Sequence, residues 1–449
     1  MKKLFKLLLT CSAATIATLP FVAGACSNEE TLPKDTKDIK KDANYKSAYS
    51  NMQRVTEVER SSELNYSLNL DWFPNIILIT DTGNYDDKSF NQSSLEGILA
   101  VEDVMQNKIA ISHTKPNSSN FEEQYSTALN KGKNVWVLSG FEHGNPISKF
   151  IQSNRKEMEA KKIILICIDF SLDPSIYKYV YSATFKIQES AWIVGKATGN
   201  YLSQVFANNA NERQISTFGG GAYQGVVDFN RGFMLGVQEW NKENPTLKSM
   251  INKNLNRVPL DTGFEPSNKL ENSVIESLGK VSVNGKSFFP KVLLPVAGPA
   301  VNVALTKMQT SDYANTAVIC VDVDQANGYS STSPEHGKFL TSITKHISQA
   351  VYDIILATVY NIDPKHLLGE NKTSIVLDKG IAENWVGYTT SHLKDPAKAK
   401  LMNDALALAK TQFDALTPEQ KEALRSDVLD GKKLSYQDFL NKLLEKINN

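Results

Sequence analysis

The chain alternates short apolar runs with longer segments in which apolar residues recur at helical spacing. Six runs have the length and composition of strands: Ile76 to Thr80, Val135 to Ser139, Ile163 to Ile168, Ile215 to Phe218, Val292 to Val296 and Ala317 to Val323. Five segments have helical period: Ser93 to Asp103, Glu122 to Lys131, Gln188 to Ala207, Val227 to Asn241 and Lys338 to Thr358. This alternation predicts α/β lobes with parallel sheets. The roughly 375 residues after the N-terminal region exceed what one core holds, so two lobes are expected.

The first 25 residues have the pattern of a secretory signal. Lysines at positions 2, 3 and 6 precede an apolar stretch and then small residues before Cys26,. The four residues AGAC that end at Cys26 resemble a bacterial lipobox, in which the cysteine is acylated after cleavage. We therefore expect a lipid anchor that holds the chain on the extracellular face of the cell membrane. The alternative is a plain secretory signal with an incidental cysteine.

Two polar or helical segments flank the predicted lobes. Residues 26–71 are rich in Lys, Asp, Glu, Asn and Ser, which predicts the lipidated Cys26 followed by a flexible tether,. Residues 395–449 have helical spacing and are expected to pack against the second lobe, although a partner-binding helix is an alternative. Between these segments we assign 72–183 and 328–360 to lobe 1, and 184–327 and 361–394 to lobe 2.

Charge and motifs argue against several classes of protein. The 49 basic and 49 acidic residues balance, so the sequence has no polycationic signature for nucleic acid,. Cys167 and Cys320 lie within apolar runs, which favours buried packing over a disulfide or a metal pair. No serine-hydrolase elbow or zinc-protease motif occurs in the sequence, and metal-assisted hydrolysis by Asp81, Asp86 and Asp87 is the remaining enzymatic alternative. We expect no enzymatic activity, no cofactor and no bound metal.

Polar or glycine-rich residues follow the carboxyl end of almost every predicted strand. They are TDTG, SGFEHG, DFS, GGGAYQG, AGP and DVDQ, in chain order. In open α/β sheets ligands bind outside these ends, so six loops are expected to form one site. The runs IILICIDF, which contains Asp169, and AVICVDVD, which contains Asp322, echo each other. This echo indicates two related lobes that offer matched carboxylates.

Six segments carry a resemblance to a known family. They are TDTGNYDDKSFNQSSLEG (80–97), ICID (166–169), FGGGAYQGVVDFNRGFMLGV (218–237), LLPVAGPA (293–300), VICVDVDQ (318–325) and LTSITKHISQAVYD (340–353). In this order they resemble the basic membrane protein family of substrate-binding lipoproteins, the purine-nucleoside receptors of certain bacterial ABC transporters, in a mycoplasma-like version. The tether, residues 241–291 and the C-terminal tail match poorly.

The resemblance implies a fold and a set of partners. The fold is two-lobed and type I periplasmic-binding-protein-like: each lobe is a mainly parallel sheet flanked by helices, with the ligand cleft between the lobes. The partners would be a nucleoside ligand and the permease and ATPase subunits of an ABC transporter. We expect a monomer that binds no nucleic acid.

The resemblance also implies which lobe 1 residues contact a nucleoside. Phe90, placed just ahead of a helix, would stack on one face of the base. Asp81 and Asp169 would accept hydrogen bonds from the base or from a hydroxyl, and Asn91 is an additional candidate. The alternatives are a hydrophobic staple at the helix start for Phe90 and turn-capping carboxylates for the aspartates. Asp86 and Asp87 are interpreted as shaping the start of the following helix.

In lobe 2, Phe229 would cover the other face of the base, with Tyr223 as its competitor and a core role as its alternative. A set of three further residues would hold the ribose: Asp322 as acceptor of both hydroxyls, Lys345 as a charge-assisted donor, and Gly298 for close backbone approach. Asp324 is the alternative to Asp322, and a solvated helix face is the alternative for Lys345.

Two other functions stay open at this stage. A receptor of the same fold for a sugar or another small polar metabolite would also use aromatic faces and carboxylates. A surface adhesion lipoprotein would bind no small ligand. The glycine run FGGG has no Lys-Ser/Thr after it and no basic cluster beside it, which favours a nucleoside over a nucleotide.

Overall fold

The computed structural model describes residues 44–449 except Thr82, 118–119 and 370–374. The predicted signal peptide and Cys26 lie outside the described residues. The strands are β1 (Asn75–Ile79), β2 (Ala110–Thr114), β3 (Val135–Ser139), β4 (Ile164–Ile168), β5 (Val180–Phe185), β6 (Gln214–Gly219), β7 (Met250–Ile251), β8 (Val281–Val283), β9 (Lys286–Phe288), β10 (Val292–Val296), β11 (Ala317–Asp322), β12 (Phe339–Lys345), β13 (Ile375–Lys379), β14 (Val386–Tyr388), β15 (Val428–Leu429) and β16 (Lys432–Lys433).

The helices cover most of the chain between and after the strands. They are α1 (Phe90–Met105), α2 (Phe121–Asn130), α3 (Gly144–Ala160), α4 (Ile187–Val205), α5 (Gln224–Glu243), α6 (Asn268–Ser277), α7 (Ala300–Lys307), α8 (Ile347–Val359), α9 (Pro396–Asp414), α10 (Pro418–Ala423) and α11 (Tyr436–Asn448). Among the described residues, no helix has both the length and the apolar character that crossing a bilayer requires.

Two six-stranded sheets organise the molecule. Sheet 1 has the order β13-β5-β4-β3-β1-β2 and is parallel throughout. Sheet 2 has the order β14-β12-β11-β10-β6-β7 and is parallel except for β14. We call the parts built on these sheets lobe 1 and lobe 2. The central strands β3, β4, β10 and β11 are buried along their whole length, as strands covered by helices on both faces must be,.

The chain passes between the lobes at three places, after β5, after β12 and after β13. The strand β12 belongs to sheet 2 and β13 to sheet 1, whereas the sequence assigned 328–360 to lobe 1 and 361–394 to lobe 2. The predicted helix from Lys338 to Thr358 is wrong in its first part. Residues 339–345, FLTSITK, pair in parallel with the buried strand β11. The β-branched residues of this segment suit a strand in that position.

The N-terminal segment from 44 to 71 lies against α1 and α8. The backbone N–H groups of Val55 and Thr56 donate to the carboxylate of Glu96, at 2.9 and 2.7 Å. Glu96 is itself fully buried, and the N–H of Glu59 donates to Gln349 Oε1 at 2.7 Å. This part of the predicted tether is therefore packed rather than flexible, because side chains of α1 and α8 satisfy its backbone where apolar residues are few.

The C-terminal extension packs on lobe 2, as the sequence predicted. Helix α9 contacts α4, and α11 contacts α5 and β7. Thr417 caps α10 and exchanges hydrogen bonds with Gln420,. Cys167 and Cys320 are buried and free, as expected.

Replacing Glu96 by Ala should destabilise the protein by about 1–3 kcal/mol, because the buried N–H groups of Val55 and Thr56 lose their acceptor. Urea denaturation followed by circular dichroism measures the change. Glu57→Ala is the matched control, since Glu57 is exposed on the same segment. Equal midpoints for the two variants would show that the segment contributes nothing to folding.

Candidate functional site

A cavity lies between the two lobes, beside loops that follow the carboxyl ends of strands. Its volume is about 570 Å³, counting the space that is open to solvent. All eight residues that the sequence predicted for a binding site line it: Asp81, Phe90, Asn91 and Asp169 from lobe 1, and Phe229, Gly298, Asp322 and Lys345 from lobe 2. Their convergence is a geometric fact, while their contact with a ligand stays a prediction.

In lobe 1, the loop after β1 is held by two aspartates. Asp87 accepts from the backbone N–H groups of Ser89, Asn91 and Gln92, at 2.9, 3.0 and 3.1 Å. These bonds satisfy the free end of α1 and place Phe90 as its first residue. Asp81 accepts from the N–H of Gly83 at 2.7 Å, so it closes the turn before that helix.

The two polar atoms of the Asn91 side-chain amide, Nδ2 and Oδ1, differ in their hydrogen bonds. Its Nδ2 donates to the carboxylates of Asp81 and Asp87, at 3.1 and 3.0 Å. These acceptors fix the orientation of the amide, because a carbonyl oxygen would repel both carboxylates. The other atom, Oδ1, is buried and has no hydrogen-bond partner among the residues that the structure describes. Because a buried acceptor without a donor is costly, Oδ1 is the atom here most in need of a ligand N–H or O–H.

Asp169 and Asp322 occupy equivalent places in the two lobes. Asp169 follows β4 and Asp322 ends β11, and both have left-handed backbones with φ of 65° and 69°. Such values are uncommon outside glycine, and the shared conformation directs both carboxyl groups into the cleft. Asp322 accepts from Ser89 Oγ of lobe 1 at 3.2 Å. The sequence echo between the two strands therefore corresponds to a shared backbone geometry.

Lys345 is the last residue of β12, not part of a helix as the sequence predicted. Its ammonium group donates to Asp169 Oδ2 at 2.7 Å and to the carbonyl of Gly225 at 3.1 Å, and its side chain is 2% exposed. It lies 5.8 Å from the ring centre of Phe90 and 5.0 Å from that of Phe229, within reach of cation–π attraction,. The ion pair with Asp169 joins the two lobes.

Of the two candidates for the second aromatic face, only Phe229 lines the cavity. Tyr223 instead stacks on Phe141 of lobe 1, with ring centres 3.8 Å apart. Phe264 lies 5.7 Å from Phe141 and completes an aromatic cluster between the lobes. Asp324, the alternative to Asp322, bonds to His392 at 2.9 Å and does not line the cavity.

The glycine run 219–221 lies under this aromatic cluster. A side chain at Gly220 would collide with the ring of Phe264, and one at Gly221 would collide with the ring of Tyr223. Sequence reasoning missed Phe141 and Phe264. Phe141 stands in the strand-end loop SGFEHG and was open to detection there, whereas Phe264 lies in the poorly matching segment and carried no signal.

The electrostatics of the cavity are dominated by carboxyl groups. Among the described residues that line it, four are aspartates and Lys345 is the one cation. Burial raises the pKa of Asp81 to about 7 and, against the pull of Lys345, that of Asp322 to about 6. Burial raises the pKa of Asp87 as well. The cavity therefore suits a neutral ligand rich in hydrogen-bond donors and disfavours a phosphate.

Residues 75–253 match the family model described as "ABC transporter substrate-binding protein PnrA-like". The resemblance to the basic membrane protein family is confirmed. The chain is 27% identical over 171 residues to "Basic membrane protein A" of Borreliella afzelii, covering 38% of this chain and 47% of that protein. It is 25% identical over 164 residues to "ABC transporter nucleoside-binding protein BmpA" of Lactococcus lactis subsp. cremoris, covering 36% and 42%. The match thus spans less than half the length of these curated relatives.

A solved structure with a similar fold extends the comparison beyond the family match. The structure is titled "Crystal structure of ABC transporter system solute-binding proteins from Aeropyrum pernix K1". It aligns with a TM-score of 0.58 and 18% identity, and covers 84% of this chain and 98% of that chain. This likeness, together with the two flanked parallel sheets, shows the type I periplasmic-binding-protein-like fold that the sequence predicted.

Replacing Asp81 by Asn should change how stability depends on pH. The folded protein holds a proton on Asp81 up to a pH of about 7, while the unfolded chain loses it near 3.8. The wild-type free energy of unfolding therefore falls over this range, by on the order of 1 kcal/mol per unit of pKa shift. The neutral Asn avoids that loss, so we expect the variant to be more stable than wild type at pH 8 and similar at pH 4.

Urea denaturation at the two pH values measures the difference. Asp312→Asn is the control for the substitution itself, because Asp312 is exposed and does not line the cavity. A gap between Asp81→Asn and wild type that does not change with pH would mean that Asp81 ionises normally.

Proposed function

We propose that the protein is the extracytoplasmic substrate-binding lipoprotein of an ABC importer, which captures a nucleoside and delivers it to a membrane permease. Purine nucleosides are favoured. The observation that carries the proposal is the convergence of two phenylalanines, a buried lysine and aspartates from both lobes on one cavity. No chemical change of the ligand is part of the function.

The base would lie between Phe90 and Phe229. A stacked aromatic ring contributes about 1–3 kcal/mol per base and tolerates either purine. The edge of the base needs polar partners, because an unpaired polar group left in the cavity costs about 1–3 kcal/mol. Asn91 Oδ1 would accept from an N–H of the base. Asp81, whose pKa is raised to about 7, would donate to a ring nitrogen when protonated or accept from an amino group when ionised.

The ribose would lie on the lobe 2 side. Asp322 would accept from the two hydroxyls, and Lys345 would share its donors between Asp169 and those hydroxyls,. Gly298 lines the same part of the cavity, and a side chain there would meet Ser89 Oγ of lobe 1 at 2.8 Å. One lysine among four carboxyl groups cannot balance a phosphate as well, so a nucleoside fits the charge better than a nucleotide.

Binding would favour the closed arrangement of the lobes. The proposed contacts come from both lobes, so all of them are made only when the cleft is shut. The closed form would then be presented to the permease and ATPase of the transporter, by a monomer anchored through a lipid on Cys26 at the extracellular face of the membrane.

A second candidate ligand is a pentose or another small polar metabolite. The observation that favours it is the burial of Phe229, which is 1% exposed and packs within the main core. A sugar needs only one aromatic face, which Phe90 offers, together with the same carboxylates. A surface adhesion role has no such observation in its favour.

The ligand class is tested by comparing nucleosides with free ribose in thermal denaturation. Adenosine, guanosine or inosine at millimolar concentration should raise the melting temperature by several degrees, because a ligand at about 100 times its Kd adds about 2.7 kcal/mol. Ribose at the same concentration should not. Equal stabilisation by ribose would transfer the assignment to the sugar, and no shift with any of these compounds would remove the nucleoside proposal.

The Phe90→Ala variant tests the stacking role. We expect its Kd for the stabilising nucleoside to rise at least about fivefold, from the loss of about 1–3 kcal/mol of stacking. Its stability should change little, because Phe90 is only partly buried. Isothermal titration calorimetry and urea denaturation give the two numbers.

Phe73→Ala serves as the control, since Phe73 is 53% exposed and does not line the cavity. If Phe90→Ala instead unfolds the protein while Phe73→Ala does not, Phe90 is a core residue and its stacking role is wrong.

A further inference from the structure

One arginine of the C-terminal extension contacts both lobes. Arg425 follows α10, and its Nε donates to Asp228 Oδ2 of α5 in lobe 2 at 2.8 Å. Its Nη1 donates to both carboxylate oxygens of Asp378 on β13 of sheet 1, at 3.1 and 3.0 Å. The planar guanidinium can hold two carboxylates in fixed directions, which a lysine ammonium does not do.

The arginine lies where the chain passes from one lobe to the other. Its Nη2 donates to the carbonyl of Phe185, the last residue of β5, at 3.1 Å. Directly beyond, the N–H of Lys186 donates to the carbonyl of Lys379 at 2.8 Å, so two of the three crossing segments run side by side here. Arg425 is thus bonded to lobe 1 at the hinge and to lobe 2 at α5.

The lobe 2 end of this contact is adjacent to the cavity. Asp228 is fully buried and directly precedes Phe229, which lines the cavity. A second cation, Arg231, lies 3.5 Å from Asp228, and the charge of Lys345 also acts on this carboxylate. A buried carboxylate that loses its ion-pair partner is strongly destabilised. The position of the turn of α5 that carries Asp228 therefore depends on Arg425.

Several contacts hold the C-terminal extension, and with it Arg425, against lobe 2. Arg231 donates to the backbone carbonyl of Arg425, and its guanidinium lies 4.9 Å from the ring centre of Phe439 in α11. Helices α9 and α11 pack on α4 and α5 of lobe 2. The extension therefore moves with lobe 2 and reaches lobe 1 through Arg425.

We propose that Arg425 is a positioning residue that holds the two lobes in the closed arrangement and sets the place of Phe229. The proposal rests on the proposed function as a receptor that closes on its ligand. In this structure the lobes meet across the cleft through Lys345 and Asp169 and through Phe141 and Tyr223. Rotation about the hinge would change the distance between Asp228 and Asp378, and ion pairs of about 3 Å tolerate little change. Arg425 therefore favours the angle at which both pairs form.

The test compares four variants of the full chain with wild type. Arg425→Met removes both ion pairs, Arg425→Lys keeps a charge without the fork, and Asp378→Asn removes only the lobe 1 partner, whose side chain is 36% exposed. Lys433→Met is the control, because Lys433 is 80% exposed on the same extension. The ligand is whichever of adenosine, guanosine and inosine stabilises the wild type, and its Kd is measured for each variant. Small-angle X-ray scattering with and without that nucleoside gives the radius of gyration.

Arg425→Met should weaken binding by about tenfold, the effect of about 1.4 kcal/mol, mainly through faster dissociation. Asp378→Asn and Arg425→Lys should weaken it less, and Lys433→Met not at all. The radius of gyration of Arg425→Met should exceed that of wild type under matched conditions. If Arg425→Met does not fold, Asp378→Asn decides the question, because it keeps the pair between Arg425 and Asp228.

Two results separate this inference from the proposed function. Lower melting temperatures with unchanged Kd and unchanged scattering would make Arg425 a purely structural residue and overturn the proposal. If the wild type binds no nucleoside, the proposed function fails, and scattering alone then decides: equal radii of gyration for wild type, Arg425→Met and Asp378→Asn overturn the role in closure.

Discussion

The buried ion pair between Lys345 and Asp169 is the interaction on which the arrangement of the two lobes depends. Lys345 ends β12 in lobe 2 and Asp169 follows β4 in lobe 1, and their atoms are 2.7 Å apart in a site almost closed to water. Neither charge could stay in that site alone, because an unpaired buried ion costs several kcal/mol. The lobes must therefore approach until the pair forms, or separate until water reaches both groups. In the proposed receptor, the same requirement would make the cleft responsive to a ligand that brings its own hydrogen-bond donors and acceptors.

The fold supplies this geometry because the carboxyl ends of parallel strands lie at one edge of the sheet. Each lobe presents one such edge to the cleft, and each places an aspartate with a left-handed backbone there,. The raised pKa values of Asp81 and Asp322 follow from the same enclosure, since helices and the opposite lobe exclude water from the strand ends. The raised pKa values and the meeting of the two lobes are thus consequences of one arrangement.

Much of this was open to prediction from the sequence, and the exceptions have physical reasons. Buried strands such as β3 and β10 are continuous apolar runs, so their positions are readable. The strand-end loops contain four of the eight predicted site residues, the family resemblance added the other four, and all eight meet at one cavity. The sequence pattern predicts a helix over the residues of β12, whereas the conformation of FLTSITK is decided by its pairing with β11, a long-range contact. The packing of residues 44–71 depends on the buried Glu96, and the position of Arg425 depends on both lobes. Neither long-range arrangement leaves a local pattern.

Gly225 stands at the seam between the lobes. Its carbonyl accepts from Lys345, and its α-carbon faces the carboxylate of Asp169 so closely that a methyl group there would overlap the carboxylate oxygens. An alanine at position 225 would therefore clash with Asp169 at the interface between the lobes, outside the core of either lobe. The close contact between the two lobes at this point therefore requires a residue without a side chain. In the receptor proposed above, Gly225→Ala would hold the lobes apart without altering any side chain that would touch the ligand.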